Sequence, residues 1–290
     1  MAIVKQIKLK FIDCLSSYYG IDEVEELFWL SLEHVLHFSR LQIKLKEKLN
    51  LSEKQELELY NILFELETGK PIQYILKYAW FYNQKFLVNE AVLIPRPETE
   101  ELVSVILKEN TQDDLNVLDI GTGSGCIPIS LKQHLKGNPQ VFGIDISEAA
   151  LEIANLNAKN LLCEVTFLKA DILKEEPMIL PESQKFDILV SNPPYITPDE
   201  KLSMHKNVLE FEPHLALFVE TENPLIFYNA IADFAIKNLK ENGKLYFEIN
   251  QNYGNEIVDL LRGKGFQQIQ LKKDFSGNNR MISACKIIIL

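Results

Sequence analysis

The chain has 290 residues, 47% of them hydrophobic and 24% charged, which excludes a disordered protein and allows one large core or two smaller ones. Its net charge of −11 and isoelectric point of about 5.1 disfavour a protein that grips many nucleic-acid phosphates, because such contacts need basic side chains, and permit a basic protein partner. No apolar run approaches the roughly 18–20 residues of a membrane span, and Met1–Lys5 opens no secretory signal, so a cytoplasmic location is expected.

The first ~70 residues show helical periodicity and no strand–glycine–helix unit. Asp22-Glu23-Val24-Glu25 has the form of a capping box, followed by Val24, Leu27, Phe28 and Val35 on one helix face. Ser52-Glu53-Lys54-Gln55 has the same form, opening a helix with Leu57, Leu59, Ile62 and Leu63 that Gly69-Lys70-Pro71 stops. Residues 1–70 therefore read as a helical bundle. The aromatic and β-branched stretch Tyr74, Tyr78, Trp80, Phe81, Tyr82, Phe86, Val88 and Val92, broken by Asn83-Gln84, predicts a β-hairpin connector over 71–94 whose aromatics serve as core.

From Asn116 strands and helices alternate. Strands are expected at 116–120, 141–144, 165–168, 186–190, 244–249, 267–273 and 280–289. Helices are expected at 126–136, from the Ser147 cap to about 159, at 224–239 and at 253–264, with a turn at Ser276–Asn279. Successive strand–helix–strand units require a parallel sheet covered on both faces. The closing hairpin gives a Rossmann-like, seven-stranded α/β fold with an antiparallel last strand. Residues 95–290 would form this domain. Cys14, Cys126, Cys163 and Cys285 are dispersed and read as reduced core residues. The histidines, His34, His37, His134, His205 and His214, lack ligand spacing, so no metal is expected.

Four features carry chemistry. The strand Val117–Ile120 runs into Gly121-Thr122-Gly123-Ser124-Gly125 and a helix. Glycines there allow positive φ and close ligand approach. The spacing differs from the pyrophosphate-binding form, and the preceding Asp119 suits a cationic ligand such as S-adenosylmethionine. Asp145, at the next strand end, is placed to accept ribose hydroxyls or to cap the following helix. Asp171 and Ile172, after the third strand, read equally as adenine contacts or as an ordinary loop. Ser191-Asn192-Pro193-Pro194-Tyr195 follows the fourth strand. Its prolines fix φ and remove N–H donors, so rigid carbonyls can face a pocket. The Asn192 carbonyl and a Pro-Pro carbonyl would each accept one hydrogen of a substrate –NH2, and Tyr195 would cover the planar group.

These residues resemble the N5-glutamine methyltransferase family that modifies peptide chain release factors. The resemblance rests on Asn192–Ile196 together with Leu93-Ile94-Pro95-Arg96-Pro97-Glu98-Thr99-Glu100, Phe211-Glu212-Pro213-His214-Leu215-Ala216-Leu217-Phe218 and Asp274-Phe275-Ser276-Gly277-Asn278-Asn279-Arg280. It implies methylation of the glutamine amide in the Gly-Gly-Gln motif of release factors; a monomer is expected, and the bundle over 1–70 reads either as the part that recognises the release factor or as mere packing. It also implies S-adenosylmethionine contacts at Gly121–Gly125, Asp145, Ile172 and Asn192, and substrate contacts at Asn192–Tyr195. The chain departs from the family pattern at Ile172, at Val219–Pro224 and at Asn250, where Trp, Phe or Leu, a Gly-rich stretch and Gly are usual. The same tetrapeptide occurs in adenine-N6 methyltransferases, which leaves DNA or RNA as the alternative substrate. A non-catalytic S-adenosylmethionine-binding interaction protein is a third reading, disfavoured by the intact Asn192–Tyr195.

Overall fold

The computed structural model describes residues 2–46, 49–174, 184–197, 200–204, 206–219 and 223–287. In chain order the elements are α1 (Ala2–Leu15), α2 (Ile21–Leu36), α3 (Arg40–Leu45), α4 (Glu53–Glu67), α5 (Ile72–Leu76), β1 (Tyr78–Phe81), β2 (Gln84–Leu87), α6 (Pro97–Glu109) and β3 (Asn116–Ile120). There follow α7 (Cys126–His134), β4 (Gln140–Asp145), α8 (Glu148–Asn160), β5 (Thr166–Lys169), β6 (Phe186–Ser191), α9 (Lys206–Phe211) and α10 (His214–Leu217). The chain ends with α11 (Ile226–Asn238), β7 (Leu239–Glu248), α12 (Gly254–Gly263), β8 (Gln267–Lys273) and β9 (Asn279–Cys285). Contacts divide it into two units, Met1–Lys77 with His205–Phe211, and Tyr78–Met204 with Glu212–Leu290.

In the first unit the helix faces bury Phe11, Phe28, Leu32, Leu59 and Leu66, and Phe11 meets Phe28 edge to face at 5.4 Å. The Ser52 capping box forms: its hydroxyl takes the Gln55 N–H and the Gln55 side chain takes the Ser52 N–H. Ser39 and Gln42 make a second one at α3. The Asp22 box does not form. α2 begins two residues earlier, with Gly20 at the cap position accepting the Val24 N–H, so Asp22 lies inside the first turn. There it still faces the positive end of the helix dipole. Along α4, Leu59, Ile62 and Leu63 are buried, and Leu57 is on the opposite face and 61% exposed. Residues 72–76, expected in the hairpin, continue the bundle as α5.

The second unit is built on a seven-stranded sheet of order β5-β4-β3-β6-β7-β9-β8, in which β9 pairs antiparallel with both neighbours. Alternate residues feed opposite faces. Val117, Ile188, Val190 and Tyr246 pack with Leu102, Ile106 and Ile127 and with Phe81 and Phe86 of the β1–β2 hairpin. Leu118, Leu189, Leu245 and Phe247 pack with Tyr228, Ile231 and Ile257 on the other face. Phe81 and Phe86 are thus core, as expected, while Trp80 is half exposed. The last expected strand residues, Ile288 and Ile289, and Glu220–Glu222 of the departing segment lie outside the described residues, as does His205. Among the described residues no helix is long and apolar enough to cross a membrane.

Gly143 shows how tightly β4 is packed below the glycine turn. A Cβ there would lie 2.8 Å from the Phe167 ring and 2.8 Å from Thr122 Oγ1. Gly143→Ala should therefore lower stability by about 1–3 kcal/mol through overpacking. Urea unfolding reads the loss.

Candidate active site

Parallel pairing sets the strand ends side by side. Ile120 pairs with Ile144 and with Ser191, Asp145 with Lys169, and Ser191 with Phe247. Residues that follow these positions emerge at one rim, where a cavity of about 530 Å³ opens. That is within the range of small-molecule sites. Its lining includes Gly121–Ser124, Asp145, Asp171, Ile172 and Asn192–Pro194, so most of the expected site residues meet in one place.

Gly121 and Gly123 have φ of 76° and 54°, and a Cβ on either would meet nothing within 4 Å. Their missing side chains leave cavity space against the backbone. Gly125 serves packing instead. A Cβ there would sit 3.1 Å from Phe167 and 3.2 Å from Ala154, so this glycine permits α7 to pack on the sheet. The Gly121 and Thr122 N–H groups both donate to Ile144 O at 2.9 Å, which fixes the turn to β4. Asp145 accepts from Gly123 N through Oδ2 and from Ser147 N through Oδ1, each at 2.9 Å. It braces the turn and the start of α8 at once, and burial raises its pKa. Asp171 accepts from Leu173 N at 3.0 Å and lies 3.5 Å from Lys174 Nζ. Ile172 packs against the α11 side of the core.

S-adenosylmethionine fits these residues. The glycine cradle is open, and Ile144, Ile146 and Ile172 offer apolar wall. Asp119 differs from expectation. It is fully buried under the turn and does not line the cavity, so it cannot touch a ligand cation. Burial pushes its carboxyl up to about 7, moderated by the Thr122 hydroxyl and reinforced by the charge of Asp145.

The Asn192 loop is stapled from several sides. Ser191 Oγ donates to Ile120 O at 2.6 Å, and Asn192 Nδ2 donates to Thr99 Oγ1 at 3.4 Å. Thr99 Oγ1 donates in turn to Glu248 Oε2 at 2.6 Å. Beyond the prolines the chain pairs with 217–219: Ile196 N donates to Leu217 O, and Val219 N to Ile196 O, each at 3.0 Å. Asn250 Nδ2 donates to Tyr195 O at 3.3 Å and to both Glu200 carboxylate oxygens at 2.9 Å. The departure at Asn250 thus supplies a clamp on the loop.

Tyr195 lies outside the cavity lining and packs among residues of the α11 side, with its phenol pKa raised by burial and by the charge of Glu248. The expected cover over a substrate is not its position here. Sequence reasoning also missed Glu212, whose side chain is 1% exposed and accepts from Ile94 N at 3.3 Å and Arg96 Nη2 at 2.5 Å. That bond pins the stretch 92–96 along the cavity. Thr99 and Glu248 were missed as well. Burial pushes Glu248 up to about 7 against the pull of Thr99, Arg280 and Arg96.

A methyltransferase domain family matches residues 111–282, and the PrmC N-terminal domain family matches residues 10–76. A Flavobacterium psychrophilum protein named release factor glutamine methyltransferase is 47% identical over 284 residues, covering 97% of this chain and 98% of that protein. A Bacteroides thetaiotaomicron protein of the same name is 44% identical over 270 residues, covering 93% and 95%. A methyltransferase from Pyrococcus furiosus shares the fold, with a TM-score of 0.53 at 17% identity over 82% of this chain and 100% of that one.

Two predictions arise from the site's acids. Asp119 and Glu248 have folded pKa values of about 7, above ordinary values of 3.8 and 4.5. The folded state keeps protons that the unfolded chain releases, so stability should fall as pH rises from about 4 to 7, by at most about 1.4 kcal/mol per pH unit for each acid. Chemical unfolding across that range should show the slope, and Asp119→Asn should reduce it. Asp145→Ala removes two acceptors and should weaken S-adenosylmethionine binding by about 1–3 kcal/mol. Unchanged affinity by calorimetry would leave Asp145 as a brace and cap alone.

Proposed function

Since the chain belongs to the release factor glutamine methyltransferase family, we propose that it methylates the side-chain amide N5 of the glutamine in the Gly-Gly-Gln motif of peptide chain release factors. The observation that carries this reading is the convergence of the glycine turn and Asn192–Pro194 on one cavity. S-adenosylmethionine would supply an electrophilic methyl group on a sulfonium, leaving as the neutral thioether while the amide nitrogen gives up one proton. The glycine turn, Asp145 and the Asp171–Ile172 segment hold it. The Asn192 side-chain carbonyl and a main-chain carbonyl of Pro193-Pro194 each accept one N–H of the substrate amide, which turns its nitrogen toward the cofactor. Such preorganised acceptors raise the electron density on nitrogen and favour the geometry of transfer without a strong base. The N-terminal bundle recognises the release factor, and the protein works as a cytoplasmic monomer.

Offering a labelled methyl donor with release factor, DNA and tRNA side by side tests the substrate. Label in the release factor glutamine is expected, and label in nucleic acid alone would favour the adenine-N6 alternative. Asn192→Ala should slow single-turnover methylation about 100–1000-fold, as the loss of a preorganised acceptor does, with a smaller effect on S-adenosylmethionine affinity. A wild-type rate in that variant would remove Asn192 from the chemistry.

A further inference from the structure

An asparagine that must accept with its carbonyl faces a problem of polarity. Its amide is nearly symmetric in shape, and rotation by half a turn would present –NH2 donors to the substrate amide, whose own –NH2 must donate. Something has to fix which end faces the cavity. Asn192 and Thr99 both line that cavity, and Asn192 Nδ2 lies 3.4 Å from Thr99 Oγ1. That bond is long, and a threonine hydroxyl could serve either end of the amide, because it can donate or accept. The choice is made one step further on. With Glu248 ionised, the Thr99 hydroxyl is committed as a donor to Glu248 Oε2 at 2.6 Å. Once its hydrogen is so placed, only its lone pairs remain for Asn192, and lone pairs can meet –NH2 but not C=O.

We infer that Thr99 and Glu248 are positioning residues which act through Asn192, holding its amide so that the carbonyl faces the substrate nitrogen. The inference rests on the role of Asn192 proposed above. Both members are built in firmly. Thr99 is 3% and Glu248 2% exposed, so water does not compete for the bond between them. Thr99 is the third residue of α6, a helix opened by Pro97, and Glu248 is the last residue of β7, beside the strand that carries Ser191. Neither residue can leave without a shift of a core element. Arg280 and Arg96 supply positive charge near the Glu248 carboxylate, with Glu98 opposing. Arg280 is itself held at 3.1 Å by Asp274, so the positive charge is also anchored.

Thr99→Val keeps the shape and removes the hydroxyl, whereas Thr99→Ser keeps the hydroxyl and removes the methyl. Thr99→Val should lower kcat for release factor methylation about 10–100-fold, with KM for the release factor and S-adenosylmethionine affinity changed less than about threefold. Thr99→Ser should recover most of the rate. A second measurement separates positioning from general damage. In an Asn192→Ala background, Thr99→Val should change the single-turnover rate less than about twofold, because the group it orients is gone. Full activity in Thr99→Val overturns the inference, as does a serine variant as slow as the valine one, or losses that multiply in the double variant. If Thr99→Val fails to bind S-adenosylmethionine, the serine variant decides: a rate far below wild type overturns the inference. A wild-type rate in Asn192→Ala alone would overturn the reading of Asn192 and this inference with it, whereas loss in Asn192→Ala with full activity in Thr99→Val overturns this inference only.

Discussion

The site depends on the in-register parallel pairing of β3 with β4 and β6. Parallel neighbours run in one direction, so the residue after each strand end reaches the same rim. Ile120, Ile144 and Ser191 lie level, and the turns that leave them carry Gly121–Gly125, Asp145 and Asn192. Slipping one strand by a residue would reverse its faces, moving Leu118 or Leu189 from the α11 side to the α6 side of the core. The apolar alternation that builds the core therefore also aligns the chemistry.

Around that rim, polar side chains from distant parts of the chain hold the loops. Glu212 takes the Ile94 N–H and the Arg96 guanidinium, Glu248 takes the Thr99 hydroxyl, and Asn250 holds the Tyr195 carbonyl. Buried acids of this kind are poor sources of stability, because desolvation opposes the attraction they gain. Asp119 and Glu248 show it in their upward-shifted pKa values. Their yield is fixed geometry at a rim otherwise made of loops. Motifs that look unrelated in the sequence, at 93–100, 191–196, 211–218 and 248–250, are one hydrogen-bonded assembly.

Much of this was legible in the sequence. Strands showed as short apolar runs, the glycine turn and Ser147 cap followed from local backbone chemistry, and Asn192–Pro194 stood at a strand end. Such features are local, so a short window contains the whole cause. The α2 start was misjudged because Gly20 and Asp22 both suit a helix entrance. The Asn192–Thr99 and Thr99–Glu248 bonds span 93 and 149 residues, beyond any periodicity. Tyr195 was assigned a cover role from its neighbours in sequence, but its ring follows the α11 side of the core.

The path of the chain beyond the Asn192 loop bears on modularity. Helix α9 belongs by its contacts to the first unit, where Asn207 Nδ2 donates to the Tyr19 hydroxyl at 3.0 Å and a Cβ on Gly69 would stand 3.2 Å from Asn207 Oδ1. The chain then returns to the second unit at Glu212. The bundle is thus not a bead on a single string: two separate stretches of polypeptide enter it. A truncation that begins at residue 78 would strip α9 of its packing partners and leave it as an orphan within the catalytic half. Recombining bundles between relatives would require exchanging α9 as well, so the N-terminal unit and the insertion after the Asn192 loop must evolve as a pair.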